Sequence, residues 1–347
     1  MAEALRTELA ALGADVTEDD AATVVGCGAG NILARFPATA PGIPVAFCAH
    51  MDTVPQNGPI EVIERDGFLT NRHETILGSD DKCAVAAMLV ALRRIVRDGT
   101  PHAGIELLFT PCEEIGLLGA AHVDFTSLLA THIFVYDHTG EVGGIVTSAP
   151  SLTKIQATFV GTAAHAGISP EAGRSAINAA AAAIDRCQLG RIDDATTANI
   201  GTIGGGTATN VVAERCELLA EARSRDEVTL SRQLDAMIDA MTWAATCHEV
   251  DLALSVRPEF TGYRLRERDP QVAMAARALT ACGRAPEYVA SGGGSDANAF
   301  LANGMSAVNL CNGIVAPHTS EERVRVADID LMVDVTLAII AEAVATG

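Results

Sequence analysis

IPVAFCAHMD, residues 43–52, is the stretch on which the fold turns. Between Gly42 and Asp52 the apolar residues run on without alternating with polar ones, the pattern of a strand buried on both faces rather than one lying half in water. The spacing predicts a strand over Ile43 to Cys48, with His50 and Asp52 just beyond its end. Working outward, Val85, Met88, Leu89 and Leu92 recur at helical spacing and predict a helix from Lys82 to Arg97, basic near its C-terminus. Apolar runs at Ile105–Thr110 and Ile133–Tyr136 predict two further strands. Strands alternating with helices make an α/β fold with a mixed, largely parallel sheet.

From Leu152 the order changes to strand (Leu152–Val160), helix (Arg174–Cys187), strand (Thr197–Ile203), strand (Arg215–Ser224), helix (Val228–His248) and strand (Leu252–Val256). That is the split βαβ order of an α+β ferredoxin-like domain. After Phe260 the alternation resumes with a helix at Gln271–Cys282, a strand at Glu287–Ala290, the turn SGGGSDAN, a strand at Ala307–Cys311 and a closing helix from Asp328. The expected organisation is therefore a catalytic domain in two parts, 1–150 and 261–347, around an inserted lid or dimerisation domain at 151–260.

Composition narrows the function classes. A formal net charge of −20 with no basic stripe excludes nucleic acid as a partner, because a phosphate backbone needs a surplus of Lys and Arg on one face. No apolar run is long enough for a membrane span, and the N-terminus lacks an export signal, so the expectation is a cytoplasmic protein without a membrane partner. Nine scattered cysteines with no CxxC pair read as reduced thiols, Cys48 and Cys112 among them. No GxSxG follows a strand, which removes the serine-hydrolase reading, and Gly204–Gly206 lacks the Lys-Ser/Thr of a phosphate loop.

Five short motifs carry the chemistry. In CAHMDTVP, His50 offers a ring nitrogen to a metal and Asp52, two residues on, can fix its tautomer. In LGSDDKCAV, Ser79 or Asp80 reads as a helix cap, yet Asp80 has two oxygens with which to bridge two ions. In FTPCEEIG the adjacent Glu113 and Glu114 can divide their work, one facing a metal and the other an attacking water. Asp137 ends another strand, and His318 sits in a loop after a strand. Each residue alone has a bland structural reading. Together, histidine and carboxylates gathered at strand ends favour a metal centre for a borderline ion, zinc first, with cobalt or manganese as alternatives.

These motifs, in this order and over nearly the whole chain, resemble the co-catalytic zinc exopeptidases and amidohydrolases that include peptidase T, carboxypeptidase G, the aminoacylases and succinyl-diaminopimelate desuccinylase. FTPCEEIG, GEVG and SGGGSDAN are most similar to the peptidase T branch. The resemblance implies two divalent cations, one on His50, Asp80 and Asp137 and the other on Asp80, Glu114 and His318, with Glu113 as general base and Asp52 supporting His50. His138 competes with Asp137 for the fifth ligand position, and Asp137 is preferred for its carboxylate. In the insert, GTAAHAG, GGTATNVV and AEARS match the family's lid and imply that His165, Asn210 and Arg223 hold substrate, His165 reaching the opposite subunit of a homodimer. An exposed ion pair is the equally common use of a lone Arg such as Arg223.

The expected function is thus metal-dependent hydrolysis of an amide bond in a small peptide, by a tripeptidase-like aminopeptidase. An amidohydrolase or carboxypeptidase acting on an N-acyl amino acid shares every catalytic residue. A non-catalytic metal-binding scaffold is the reading from another class, and the intact Glu113 and ligand set argue against it.

Overall fold

A computed structural model describes residues 1–345, which divide into two compact units: Met1–Ala149 together with the chain from Tyr263 onward, and Pro150–Gly262. Among the described residues the first unit is built on a nine-stranded sheet. At its centre Ile105–Thr110, Val45–His50, His132–His138 and Ser306–Cys311 lie side by side and parallel. The antiparallel pairs flank these, Ile32–Phe36 on one side and Gly144–Ala149 on the other. All six residues of Val45–His50 and of Ile105–Thr110 are buried, as non-alternating apolar runs require.

Successive side chains of a strand point to opposite faces, and here each face has its own core. Phe47, Leu107 and Phe134 pack with Met88 and Leu92 of the helix Lys82–Asp98 and with Ile339 and Ile340 of the helix Val326–Ala345. Cys48, Leu108, Ile133 and Val135 pack with Ala297 and Phe300 on the other side. The helix Lys82–Asp98 ends on Gly99 at φ 63°, a left-handed C-cap that glycine adopts without a Cβ penalty.

Two local expectations are corrected. The key strand runs Val45–His50, two residues later than read, which makes His50 its last residue. The SGGGSDAN turn leads into a helix, Asp296–Ala302, which starts where the Asn298 side chain accepts the Ser295 N–H at 3.1 Å. A four-stranded sheet of Val62–Arg65, Phe68–Asn71, Arg323–Arg325 and Ile314–Val315 was not anticipated. No helix is long and apolar enough to cross a membrane among the described residues.

The second unit is an antiparallel sheet in the order Gly190–Arg191, Thr196–Gly205, Arg215–Ser224, Ser151–Val160, Asp251–Phe260. The short first strand aside, this is the ferredoxin-like order. The helices Ala176–Arg186 and Glu227–Cys247 contribute Ala179, Ala180, Met237 and Met241 to a core shared with Phe159 and Leu218 of the sheet.

Candidate metal centre and active site

Parallel strands of an open α/β sheet end along one edge, and loops leaving that edge can converge. His50 and Asp137 come from the ends of adjacent parallel strands. Asp80 comes from the turn before Lys82–Asp98, Glu114 from the loop after Ile105–Thr110, and His318 from the loop after Ile314–Val315. The structure brings all five together. His50 Nε2 lies 3.5 Å from Asp80 Oδ1 and 4.0 Å from Asp137 Oδ1. His318 Nε2 lies 3.2 Å from Asp80 Oδ2 and 3.1 Å from Glu114 Oε1. Donor atoms of His50, Asp80 and Asp137 thus form one group within 4.8 Å of one another, and those of Asp80, Glu114 and His318 form another. Asp80 belongs to both, with one oxygen turned to each.

Glu113 lies at the same centre: His50, Glu113 and Glu114 make a third such group. The neighbouring glutamates do not diverge as widely as a simple alternation suggests. Burial pushes the Glu113 carboxyl up to about 8, with Asp296, Glu114 and Asp80 adding to the rise against the pull of His50. Burial likewise holds Asp137 well above the carboxylate range. For Asp80, burial is outweighed by His318 and His50 beside it, which keep its carboxyl low. His318 is raised to about 10 by Asp80 and then Glu114. Buried carboxylates that hold each other up in this way form a centre of negative potential suited to cations.

Asp52 joins the strand end to the acidic loop. Its Oδ1 accepts the Glu113 N–H at 3.1 Å and its Oδ2 the Glu114 N–H at 3.2 Å. The His50 ring meets this residue mainly through its main chain, Nδ1 lying 3.1 Å from Asp52 O and 3.5 Å from the carboxylate. His138 faces elsewhere, its Nδ1 against Thr139 O and 3.4 Å from Cys311 Sγ, while Asp137 points into the cluster.

The helix-cap reading of Ser79 and Asp80 is corrected: Asp81 occupies the cap position and makes no side-chain cap bond. The loop is held by Glu322, which sequence reasoning missed. This carboxylate, only 2 % exposed, accepts the N–H groups of Leu77 and Gly78 on Oε2, both at 3.0 Å. Its Oε1 accepts Ser79 N–H at 2.7 Å, Ser79 Oγ–H at 2.6 Å and Asp80 N–H at 3.2 Å. An acid four residues after His318 was its only sequence trace. Asp296, buried beneath the centre, receives Thr110 Oγ1 and was hidden in the presumed turn. The Tyr263 hydroxyl is buried without a hydrogen-bond partner and senses the charge of Asp137.

Within the second unit, the structure brings His165 and Asn210 together and keeps Arg223 away from them. Asn210 O accepts the Ala166 N–H at 2.9 Å, and His165 bridges to Val211. Arg223 lies near the far end of the strand Arg215–Ser224, about 26 Å from its start at a rise of ~3.3 Å per residue. Its guanidinium grips Glu221 at 2.8 and 3.3 Å, an ion pair as the sequence left open, though half-buried rather than exposed.

The donor set fits cations on the structure's own terms. Asp137 Oδ2 is buried with no hydrogen bond, a state that is unfavourable unless something positive answers it. Two His-carboxylate groups sharing one aspartate, with a further glutamate beside them on a largely parallel α/β sheet, define a metal-dependent hydrolase.

The profile of Peptidase family M20/M25/M40 matches residues 46–342, and the chain belongs to that family. It is similar to the crystal structure of aminopeptidase PepT from Bacillus cereus ATCC 10987, at 39 % identity and a TM-score of 0.86, covering 99 % of this chain and 92 % of that one. It is also similar to a tripeptidase from Staphylococcus aureus subsp. aureus Mu50, at 35 % identity and a TM-score of 0.92, with the same coverage. An uncharacterized protein, YqjE of Bacillus subtilis (strain 168), is 38 % identical over 98 % of this chain and 91 % of its own length.

Proposed function

We propose that this hydrolase is an aminopeptidase of the peptidase T kind, releasing the N-terminal residue of short peptides such as tripeptides with two divalent cations. The observation that carries the reading is the division of Asp80 between two donor groups, one completed by His50 and Asp137 and the other by Glu114 and His318. Nitrogen and oxygen donors without thiolate suit zinc, with cobalt or manganese able to replace it. Two ions held there supply Lewis-acid polarisation of the scissile carbonyl and acidify the attacking water.

The chain's own groups do the rest. Glu113, half-buried beside the donor groups, takes the water's proton and passes it to the leaving amine. Asp52 fixes the backbone of Glu113 and Glu114 relative to His50, so base and ligands keep one geometry. His165, Asn210 and Arg223 are the substrate-holding residues of the second unit in this reading. Because Arg223 lies about 26 Å along its strand from the His165–Asn210 end, no short peptide touches both ends of one lid. That separation supports a homodimer in which two lids contribute. Nine free cysteines accord with a reducing, cytoplasmic compartment.

The peptidase reading is favoured over the amidohydrolase one by the two similar structures, described as an aminopeptidase and a tripeptidase. Free tripeptides and N-acyl amino acids, each assayed with zinc, cobalt and manganese in turn, decide the matter. Turnover of tripeptides with idle N-acyl amino acids is expected, and the reverse pattern overturns the proposal.

A further inference from the structure

In a chain of net charge −20, three arginines line one cavity of about 500 Å³ in the first unit. Arg323 and Arg325 are two apart on a strand, so both project from the same face. Their guanidinium carbons stand 5.7 and 5.2 Å from the centre of the Phe68 ring, Phe68 being the cross-strand partner of Arg325. Arg284 faces them from the loop after the helix Pro270–Ala281. Among the described residues none of the three makes an ion pair within 4.0 Å. Arg323 Nη1 reaches only the main-chain oxygen of Glu321, at 3.4 Å.

Like charges on neighbouring positions of one sheet face repel. Two acids share the cavity, Glu141 and Asp328, leaving one cation in excess. Burial holds the Asp328 carboxyl above the usual range against the pull of Arg325 and Arg284. Asp328 also packs so closely on the loop that a Cβ at Gly313, φ +80°, would stand 2.7 Å from its own Cβ. The cavity is therefore shaped by backbone approach as well as by charge. Its walls include residues 139–142 and 313–316, which leave Asp137 on one side and lead into His318 on the other.

We propose that this cavity is a binding site for a small oxyanion, the phosphate or carboxylate group of a soluble metabolite, separate from the metal centre. Guanidinium forks match two oxygens of either group at once, and Phe68 holds two of the forks in place. The occupant would brace the two segments that carry one proposed ligand from each donor group.

Calorimetric titration of the metal-loaded full chain with inorganic phosphate, and separately with succinate, tests the site. One anion per chain is expected, bound about tenfold or more weakly in Arg325→Ala and Arg284→Ala, weakened by salt, and unaffected by His318→Ala. Whichever anion binds identifies the group the site takes. Hydrogen exchange in 139–142 and 313–316 should slow on addition of that anion in the parent protein and not in Arg325→Ala. Binding that survives both arginine substitutions, binding lost only with His318, or no binding of either anion at millimolar concentration overturns the proposal.

Discussion

Replacing Glu322 by Gln exchanges one buried carboxylate oxygen for an NH₂ group, and the surroundings of that atom are known. If the amide oxygen keeps Ser79 and Asp80, the NH₂ faces the Leu77 and Gly78 N–H groups, which now sit 3.0 Å from their acceptor. Two buried donors lose their partner. At ~1–3 kcal/mol for each, the substitution removes roughly 2–6 kcal/mol, a large part of the ~5–15 kcal/mol that holds a typical domain folded. The loop can recover some of this by moving out to water, and Asp80 moves with it. Urea unfolding in the presence of chelator measures the stability term alone, and calorimetric zinc titration measures the consequence for Asp80. Both ions should bind more weakly, since Asp80 faces both donor groups. A stability change under about 1 kcal/mol together with unaltered zinc binding would refute the reasoning.

Three other outcomes are expected. Glu113→Gln should lower turnover by ~10² to 10⁴ while both ions stay bound, whereas Glu114→Gln should weaken one ion; metal analysis beside kcat exposes any exchange of roles. His318→Ala should lose one ion and activity together with little change in unfolding midpoint, because its side chain is 47 % exposed; two ions retained would remove it from the ligand set. In the metal-free protein, stability should fall as pH rises from about 5 to 9. Glu113, raised to about 8, binds its proton more tightly when folded than unfolded, and stability linked to that proton disappears between the ordinary glutamate range and about 8. His318, raised to about 10, acts in the same direction at higher pH, and thermal melts with and without zinc test the slope, which the ions should flatten.

Buried strands of the sheet were legible because apolar runs such as Val45–Ala49 are strand-like in length and composition, and the candidate ligands His50, Glu114 and Asp137 were legible because each lies at or just after the end of such a run. The ferredoxin-like insert showed itself through element order alone. What escaped were residues whose significance lies in distant partners. Glu322 reads as one more acid in HTSEER, and only the approach of residues 77–80 across more than half the chain gives it five donors. Asp296 was hidden by three glycines that signalled a turn just before a helix. Arg323 and Arg325 look like surface charges until the fold lays them over Phe68. The choice between Asp137 and His138 likewise needed side-chain direction, which adjacent positions near an irregular strand end do not reveal.

The insert leaves and re-enters at two paired residues, Ala149 and Tyr263, which are opposite one another across antiparallel strands. Its own first and last strands are paired as well, Leu152 against Phe260. Each piece is therefore closed at the seam, like a book whose signature can be removed without unstitching the cover. A two-residue hairpin turn has the reach to replace the whole of 150–262, and the excised piece begins and ends at neighbouring points. A gene fusion at such a junction need alter no strand order in either piece, which makes this seam a natural place for one enzyme lineage to exchange its lid and keep its chemistry.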